Sequence, residues 1–244
     1  MMHSAFAGLF RLNLPLADML SSFRMSNSAG QVIVLILFAG SIFAWSVMAT
    51  KFMELRKAAR SARQFAALYR KNRHPLELFA QQPALPGNPL SALYDAVCRD
   101  LARTLQIPAA ADLLRPAAPL REHQAQALRN LAEQVMAEQA LQLERQMIVL
   151  ATAVTAAPFL GLLGTVWGVM DAFGGLALSG MATMAAVAPG VSGALLTTVV
   201  GLCVALPSAI GYNFLTGKIR QLNISMEHFA QEFLADIEQH CVEH

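Results

Sequence analysis

Long stretches without charge constrain this chain more than any other feature of its sequence. Arg24 and Lys51 enclose 26 uncharged residues, Arg145 and Asp171 enclose 25, and Asp171 and Lys218 enclose 46. A helix that crosses a bilayer needs about 20 apolar residues, and a charged side chain at the bilayer centre costs at least about 2.5–3.5 kcal/mol. The sequence therefore predicts an all-α integral membrane protein with three transmembrane helices.

The predicted spans divide the chain into seven segments. The third gap gives one span rather than two, because its first part is rich in glycine, serine and threonine, which is typical of a short connection. Pro189 is acceptable at the start of the third span, since the first turn of a helix leaves its N–H groups unpaired in any case. In chain order the segments are an N-terminal amphipathic helix (1–24), the first span (25–50), a helical region (51–145), the second span (146–172), a loop (173–188), the third span (189–214) and a C-terminal helix (215–244).

Basic residues indicate which way the spans are oriented. Eight Lys or Arg but only one acid, Glu54, lie between positions 51 and 73, and cytoplasmic loops carry such an excess. Lys218 and Arg220 follow the third span, whereas the 173–188 loop has no charge. The N-terminus is therefore expected outside and the C-terminus in the cytoplasm. The first 24 residues lack the pattern of a signal peptide and favour a helix on the outer membrane surface.

The second and third spans are expected to extend into the cytoplasm as long rods. From Leu120 to Met170 only Pro158 interrupts a helix-favouring sequence. After the third span, apolar residues recur at spacings of three and four, which indicates an amphipathic helix. Its apolar face has to be covered by the 51–145 helices or by a neighbouring copy. The stripe consists of Ile219, Leu222, Met226, Phe229, Phe233 and Ile237.

Signatures of catalysis and of metal or nucleic-acid binding are missing from the sequence. A net charge of +2 gives no basic excess for phosphates, and the three cysteines lie far apart. The segment GYNFLTGK (211–218) has one residue too many between its glycines for a phosphate-binding loop. We expect no enzyme activity, no cofactor, no metal and no nucleic-acid partner.

Small residues recur at every fourth position of the third span, and at spacings of three and four, including a G-x-x-x-G, in the second. Such stripes let helix backbones approach closely in lipid. Composition alone favours ordinary packing within one subunit; the alternative is a multi-subunit ring in which these two spans line a central channel. The stripes comprise Gly161, Gly164 and Gly168 in the second span, and Gly193, Thr197, Gly201, Ala205 and Ala209 in the third.

Thr165 and Thr198 are the polar groups deepest in these spans. A hydroxyl both donates and accepts hydrogen bonds, so each could line a water or proton path. The alternative, favoured from the residues alone, is that each hydroxyl bonds the carbonyl one turn back. A proton path normally needs a titratable group, and the third span has no acid, base or histidine while Asp171 lies only at the edge of the second. A conducting carboxylate would have to come from another polypeptide.

The segments LGLLGTVWGVMDAF (160–173) and VAPGVSGALLTTVVGLCVALPSAIGYN (187–213) resemble the TolQ/ExbB/MotA proton-channel family, and most closely its TolQ and ExbB members. The spacing matches and both segments follow a matching large loop. The exit of the first span, SIFAWSVMATK (41–51), agrees more loosely.

The resemblance implies a subunit of an inner-membrane motor, with a periplasmic N-terminus. Five copies would surround two copies of a single-span ExbD- or TolR-like partner whose membrane Asp carries the proton, and the work would pass to a TonB- or TolA-like protein. Thr165 and Thr198 match the family's channel threonines. The residues expected in helix packing and the ring interface are Gly161, Gly164, Gly168, Pro189, Gly190, Gly193, Thr197 and Gly201.

One position departs from the family. Gly193 stands in PGVSGAL where many relatives have a glutamate, so a proton path that requires a ring of glutamates fails here. The competing hypothesis is a structural membrane scaffold that conducts nothing, in which the small stripes only assemble helices.

Overall fold

A computed structural model describes residues 23–24, 26–72, 74–81, 88–105, 120–179 and 183–241. Every regular element in these residues is an α-helix. The helix expected over residues 1–24 lies outside them, apart from its last two residues. The elements are α1 (Ser28–Lys71), α2 (Glu77–Gln81), α3 (Pro89–Thr104), α4 (Glu122–Glu144), α5 (Met147–Ser179) and α6 (Met184–Cys241).

Three of these helices are long and apolar enough to cross a membrane, as the charge gaps predict. They are α1, α5 and α6, whose most apolar windows have mean hydropathies of 2.4, 2.0 and 2.0. Their large apolar side chains are mostly exposed in the single chain, for example Phe38 at 64% and Phe159 at 72%. Apolar surface of this extent has to face lipid or other membrane helices.

The connection between the second and third spans is shorter than expected. α5 continues to Ser179 and α6 begins at Met184, so most of the 173–188 loop is helical. Gly174 and Gly175 weaken a helix only by about 1 kcal/mol each.

The extension of the second span beyond the membrane is not the one continuous rod that was expected from the sequence. The second span does not continue without interruption towards Leu120, because the chain breaks between α4 and α5, where Gln146 has a φ of 72°. A left-handed residue other than glycine costs about 1–2 kcal/mol, and no glycine or proline marks the break in the sequence. Pro158 lies inside α5 without ending it. The two uninterrupted long helices are α1, with 44 residues, and α6, with 58.

The structure divides into two compact units. Unit 1 comprises Met1–Met48 and Val149–Gly211, and unit 2 comprises Ala49–Ile148 and Tyr212–His244. Unit 1 thus holds the predicted membrane parts of α1, α5 and α6. A small buried cluster in unit 1 joins these three helices. It contains Ile33, Leu37, Ala157, Val204 and Ala205.

Unit 2 buries the apolar stripe of α6. All six residues of the stripe are at most 5% exposed. The ring of Phe65 on α1 lies 5.7 Å from that of Phe229, and the ring of Tyr94 on α3 lies 4.8 Å from that of Phe233. Helices of the 51–145 region therefore cover this stripe, and no neighbouring copy is needed for it.

Polar contacts join α1 to α6 further along unit 2. The Tyr69 hydroxyl donates to Asp236 Oδ2 at 2.6 Å, and burial together with this carboxylate raises the pKa of Tyr69. Arg70 donates to both carboxylate oxygens of Glu232, with Nε 2.9 Å from Oε1 and Nη2 2.8 Å from Oε2. The hydrogen bonds from Arg70 lower the pKa of Glu232.

Lys51 is the most deeply buried charged residue among those that the structure describes in unit 2. Its residue is 1% exposed, and its Nζ donates to Glu54 Oε2 at 3.0 Å and to the Gln142 carbonyl at 3.5 Å. Gln142 lies in the last turn of α4, where carbonyl groups carry partial negative charge. The Lys51 ammonium therefore caps α4 just before the break at Gln146.

Candidate functional site

The glycines of α5 form the surface on which α6 packs. A Cβ built on Gly161 would lie 2.9 Å from both the Thr197 carbonyl oxygen and Thr198 Cα, and one on Gly164 would overlap the Thr197 side chain. A Cβ on Gly168 would lie 2.6 Å from Ala194 Cβ. A side chain at any of these three positions would therefore force α5 and α6 to shift relative to one another.

The glycines of α6 make matching close contacts. A Cβ on Gly201 would lie 2.6 Å from the Ala157 carbonyl oxygen, and one on Gly190 would lie 2.9 Å from Ala172 Cβ. Pro189 is inside α6 and not in its first turn, because the helix begins earlier, at Met184. The small residues of α5 and α6 therefore contact one another within one chain.

Gly193 faces a different neighbour. A Cβ at this position would lie 2.8 Å from Ser26 Cα and 3.1 Å from Ser26 N. The chain just before α1 thus occupies the space into which a larger residue at 193 would point. A glutamate could not be placed there without moving the Ser26 backbone.

Three threonine hydroxyls meet where α5 and α6 cross. Thr165 Oγ1 and Thr198 Oγ1 lie 3.1 Å apart. They lie 3.3 Å and 3.0 Å from the Gly161 carbonyl oxygen, and Thr197 Oγ1 lies 2.9 Å from the same atom. Each hydroxyl has only one proton to donate, so the three groups cannot make all these bonds at once. The cluster has several alternative hydrogen-bond arrangements of the same atoms.

The two threonines singled out from the sequence have different surroundings. Thr165 can donate to the Leu162 carbonyl on its own helix at 2.7 Å. This contact fits the alternative in which the hydroxyl bonds a carbonyl one turn back. The hydrogen bonds of Thr198 instead cross to α5, at Gly161 and Thr165. Thr165 and Thr198 are both half-buried, whereas Thr197 is fully buried. One side of the Thr165 and Thr198 pair is therefore open to a neighbouring molecule.

Asp171 lies apart from the threonine cluster. It is exposed, and its Oδ2 accepts a hydrogen bond from Asn27 Nδ2 at 3.4 Å. Among the described residues, no three of His, Cys, Asp and Glu lie close enough together to hold a metal ion.

Sequence reasoning missed two features of this site. Thr197 was expected only to pack, but its hydroxyl is within 2.9 Å of the Gly161 carbonyl and 2.7 Å of the Ala194 carbonyl. Its position one turn from Gly201, whose backbone meets α5 at Ala157 and Gly161, could have indicated that it faces α5. The contact of Gly193 with Ser26 had no sequence signal, because it joins residues far apart in the chain.

Known proteins are similar in sequence to this chain over most of its length. The sequence pattern of the MotA/TolQ/ExbB proton channel family matches residues 102–228. The chain is 30% identical over 207 residues to the Tol-Pal system protein TolQ of Pseudomonas aeruginosa, covering 84% of this chain and 86% of the relative. It is 27% identical over 220 residues to TolQ of Haemophilus influenzae, covering 88% and 92%. It is 32% identical over 203 residues to the biopolymer transport protein ExbB of Neisseria meningitidis serogroup A, covering 82% and 88%.

Proposed function

The chain belongs to the MotA/TolQ/ExbB proton channel family, and on that premise we propose how it transduces energy. It conducts protons across the inner membrane together with a single-span ExbD- or TolR-like partner that carries a membrane Asp. Five copies form the ring around that partner. Proton flow drives a TonB- or TolA-like protein that acts at the outer membrane. The N-terminus is periplasmic and the C-terminus cytoplasmic.

The half-buried pair of Thr165 and Thr198 carries this proposal. Its hydroxyls are 3.1 Å apart, and they share the Gly161 carbonyl with Thr197. Because hydroxyls donate and accept in turn, the pair can exchange hydrogen bonds with water or with a carboxylic acid brought next to it. It stabilises a proton carrier without placing a charge of its own in the membrane.

The chain itself lacks the group that would hold the proton. Asp171 is the only Asp, Glu, Lys, Arg or His between Arg145 and Lys218, and it lies two turns beyond Thr165, about 9 Å along the helix. A partner carboxylate beside the exposed side of the threonine pair supplies the missing acid. This is why the proposal needs a second kind of subunit.

The ring has to use surfaces other than the glycine stripes. Those stripes pack inside the chain, as the contacts of Gly161, Gly164 and Gly201 show. The apolar side chains left exposed on the three spans are available to neighbouring copies and to lipid. Residues predicted for both packing and the ring interface therefore act within the subunit, and the ring forms through the outward faces of the spans.

The driving force is sufficient for such a motor. One elementary charge crossing 100 mV releases about 2.3 kcal/mol. That free energy biases a two-state element roughly fifty-fold. A rearrangement of the partner inside the ring can therefore be driven by single protons.

Threonine substitutions test the assignment of the path. Thr165→Ala and Thr198→Ala are expected to keep the assembly but to reduce proton uptake by proteoliposomes about fivefold, which corresponds to one lost hydrogen bond of about 1 kcal/mol to the carrier. Thr155→Ala is the matched control, because the Thr155 hydroxyl bonds only carbonyls of its own helix, at 3.1 Å and 3.2 Å. Wild-type uptake in both test variants would remove these threonines from the path.

The scaffold hypothesis is favoured by one observation, the use of the small stripes inside the subunit. A scaffold would not respond to the proton gradient. Site-specific crosslinking between this chain and its partner, with and without an uncoupler in intact cells, separates the two functions. We expect the crosslinking pattern to change when the gradient is collapsed, and an unchanged pattern would favour the scaffold.

A further inference from the structure

A groove with an apolar floor and a basic rim runs between α1 and α6 in unit 2. Its volume is about 780 Å³, within the range of about 300–1,000 Å³ in which proteins hold small molecules. Leu55, Ala62 and Leu222 are among the residues of its floor. The groove begins within a few residues of the positions where both helices leave the charge-free spans.

Aromatic rings close the end of the groove nearest the spans. The rings of Phe52 on α1 and Phe214 on α6 lie 6.0 Å apart, and both side chains are exposed. One turn further along each helix stands a cation, Arg56 on α1 and Lys218 on α6. The two helices run in the same direction, since Phe65 pairs with Phe229 beyond Phe52 and Phe214. The two cations therefore lie at matched depth.

The charges on the rim have no compensating acid. The groove is lined by Arg56, Arg60, Arg63 and Lys218, and no Asp or Glu is among its lining residues. Arg70, at the far end, pairs with Glu232. In the part of the chain that the structure describes, no ion pair neutralises the other four cations. An anionic occupant fits this charge and a neutral one does not.

The depth of the cations fits the headgroups of a membrane. The polar region of each leaflet is about 5–7 Å thick, and one helical turn advances about 5.4 Å. Arg56 and Lys218 thus reach headgroup level when Phe52 and Phe214 lie at the edge of the hydrocarbon. Basic clusters just beyond a membrane helix attract anionic lipids.

We propose that this groove binds an anionic phospholipid of the leaflet on the basic side of the membrane. The phosphate lies between Arg56 and Lys218, with Arg60 below it, and an acyl chain passes the rings of Phe52 and Phe214 into the bilayer. This inference requires a membrane-spanning chain, but it does not depend on proton conduction.

Native mass spectrometry of the complex released from bacterial membranes in mild detergent measures the bound lipid directly. The test variant is the double substitution Arg56→Gln with Lys218→Gln. The matched control is Lys57→Gln with Arg220→Gln, which removes the same charge at nearly the same depth but from residues that do not line the groove. We expect the wild type and the control to retain phosphatidylglycerol or cardiolipin, and the test variant to retain roughly thirtyfold less, about fivefold for each basic group.

Three results would overturn the proposal. Equal retention by the test and control variants would mean that lipid binding does not depend on the residues of the groove. Equal affinity of wild type for phosphatidylglycerol and phosphatidylcholine, titrated in nanodiscs, would remove the role of charge. Crosslinks from position 60 to an acidic protein segment would show that a protein partner occupies the groove, if these crosslinks did not change with lipid composition. Should the double variant fail to assemble, Arg60→Gln alone is titrated with phosphatidylglycerol, and an affinity equal to wild type would contradict the proposal.

Discussion

Replacing Gly161 by alanine tests the close packing on which the candidate site depends. The added Cβ would lie 2.9 Å from the Thr197 carbonyl oxygen and from Thr198 Cα. Both are backbone atoms, so neither can rotate away, and α5 and α6 have to separate. Overpacking of this kind costs about 1–3 kcal/mol, whereas alanine in a helix gains about 0.5–1 kcal/mol over glycine. The net expectation is a loss of about 0–2.5 kcal/mol in the free energy of unfolding.

Gly40→Ala supplies the matched control. Gly40 also lies in a spanning helix, but a Cβ there would meet nothing within 4 Å. Gly40→Ala should therefore be stabilised by the helix preference of alanine without any overpacking. We expect its free energy of unfolding to be about 1–3 kcal/mol higher than that of Gly161→Ala. Unfolding by sodium dodecyl sulfate in mixed micelles, followed by circular dichroism, measures it. Equal stability of the two variants would refute the close approach of α5 and α6.

Three further predictions concern other contacts. Lys51→Met should lower the free energy of unfolding by about 1–2 kcal/mol, because the last-turn carbonyl of α4 loses its cation. Lys57→Met, at an exposed position of the same helix, should stay within about 0.5 kcal/mol of wild type. Equal losses in the two variants would contradict the cap. The pKa of Glu232 is lower in the folded protein than its unfolded value near 4.5. Its ion pair with Arg70 therefore stabilises the fold above pH 4.5, and this stabilisation is lost as the pH falls through the lower folded pKa. Glu232→Gln should match the stability of wild type in acid and be less stable at neutral pH, by under about 1 kcal/mol because the pair is exposed. Gly193→Glu should displace the N-terminal segment, so a Ser26→Cys probe should react faster with maleimide in that variant, and an unchanged rate would argue against the contact.

The helical class and the number of spans could be predicted because both follow from charge and length. A charge costs so much in lipid that its absence over 25 or more residues is informative by itself. The stripe from Ile219 to Ile237 was equally readable, since the helical period fixes which residues share a face. Its burial against Phe65 and Tyr94 confirms that pattern.

The helix boundaries could not be predicted in the same way. Gln146 adopts a left-handed conformation that its residue type does not favour, so no local sequence preference marks the break between α4 and α5. Gly174 and Gly175 suggested a loop, but membrane helices tolerate glycine. Periodicity places Thr197 on the stripe of small residues. The convergence of three hydroxyls on one carbonyl depends on how two helices cross, which no local pattern encodes.

We expect this chain to conduct protons only together with a partner that supplies the carboxylate. The most direct test is proton uptake by proteoliposomes holding the chain alone, the chain with its co-expressed single-span partner, and the same complex with the partner's membrane Asp replaced by Asn. We expect gradient-driven uptake by the intact complex and background uptake by the other two preparations. Equal uptake by the chain alone would contradict it, since the path would then need no outside acid.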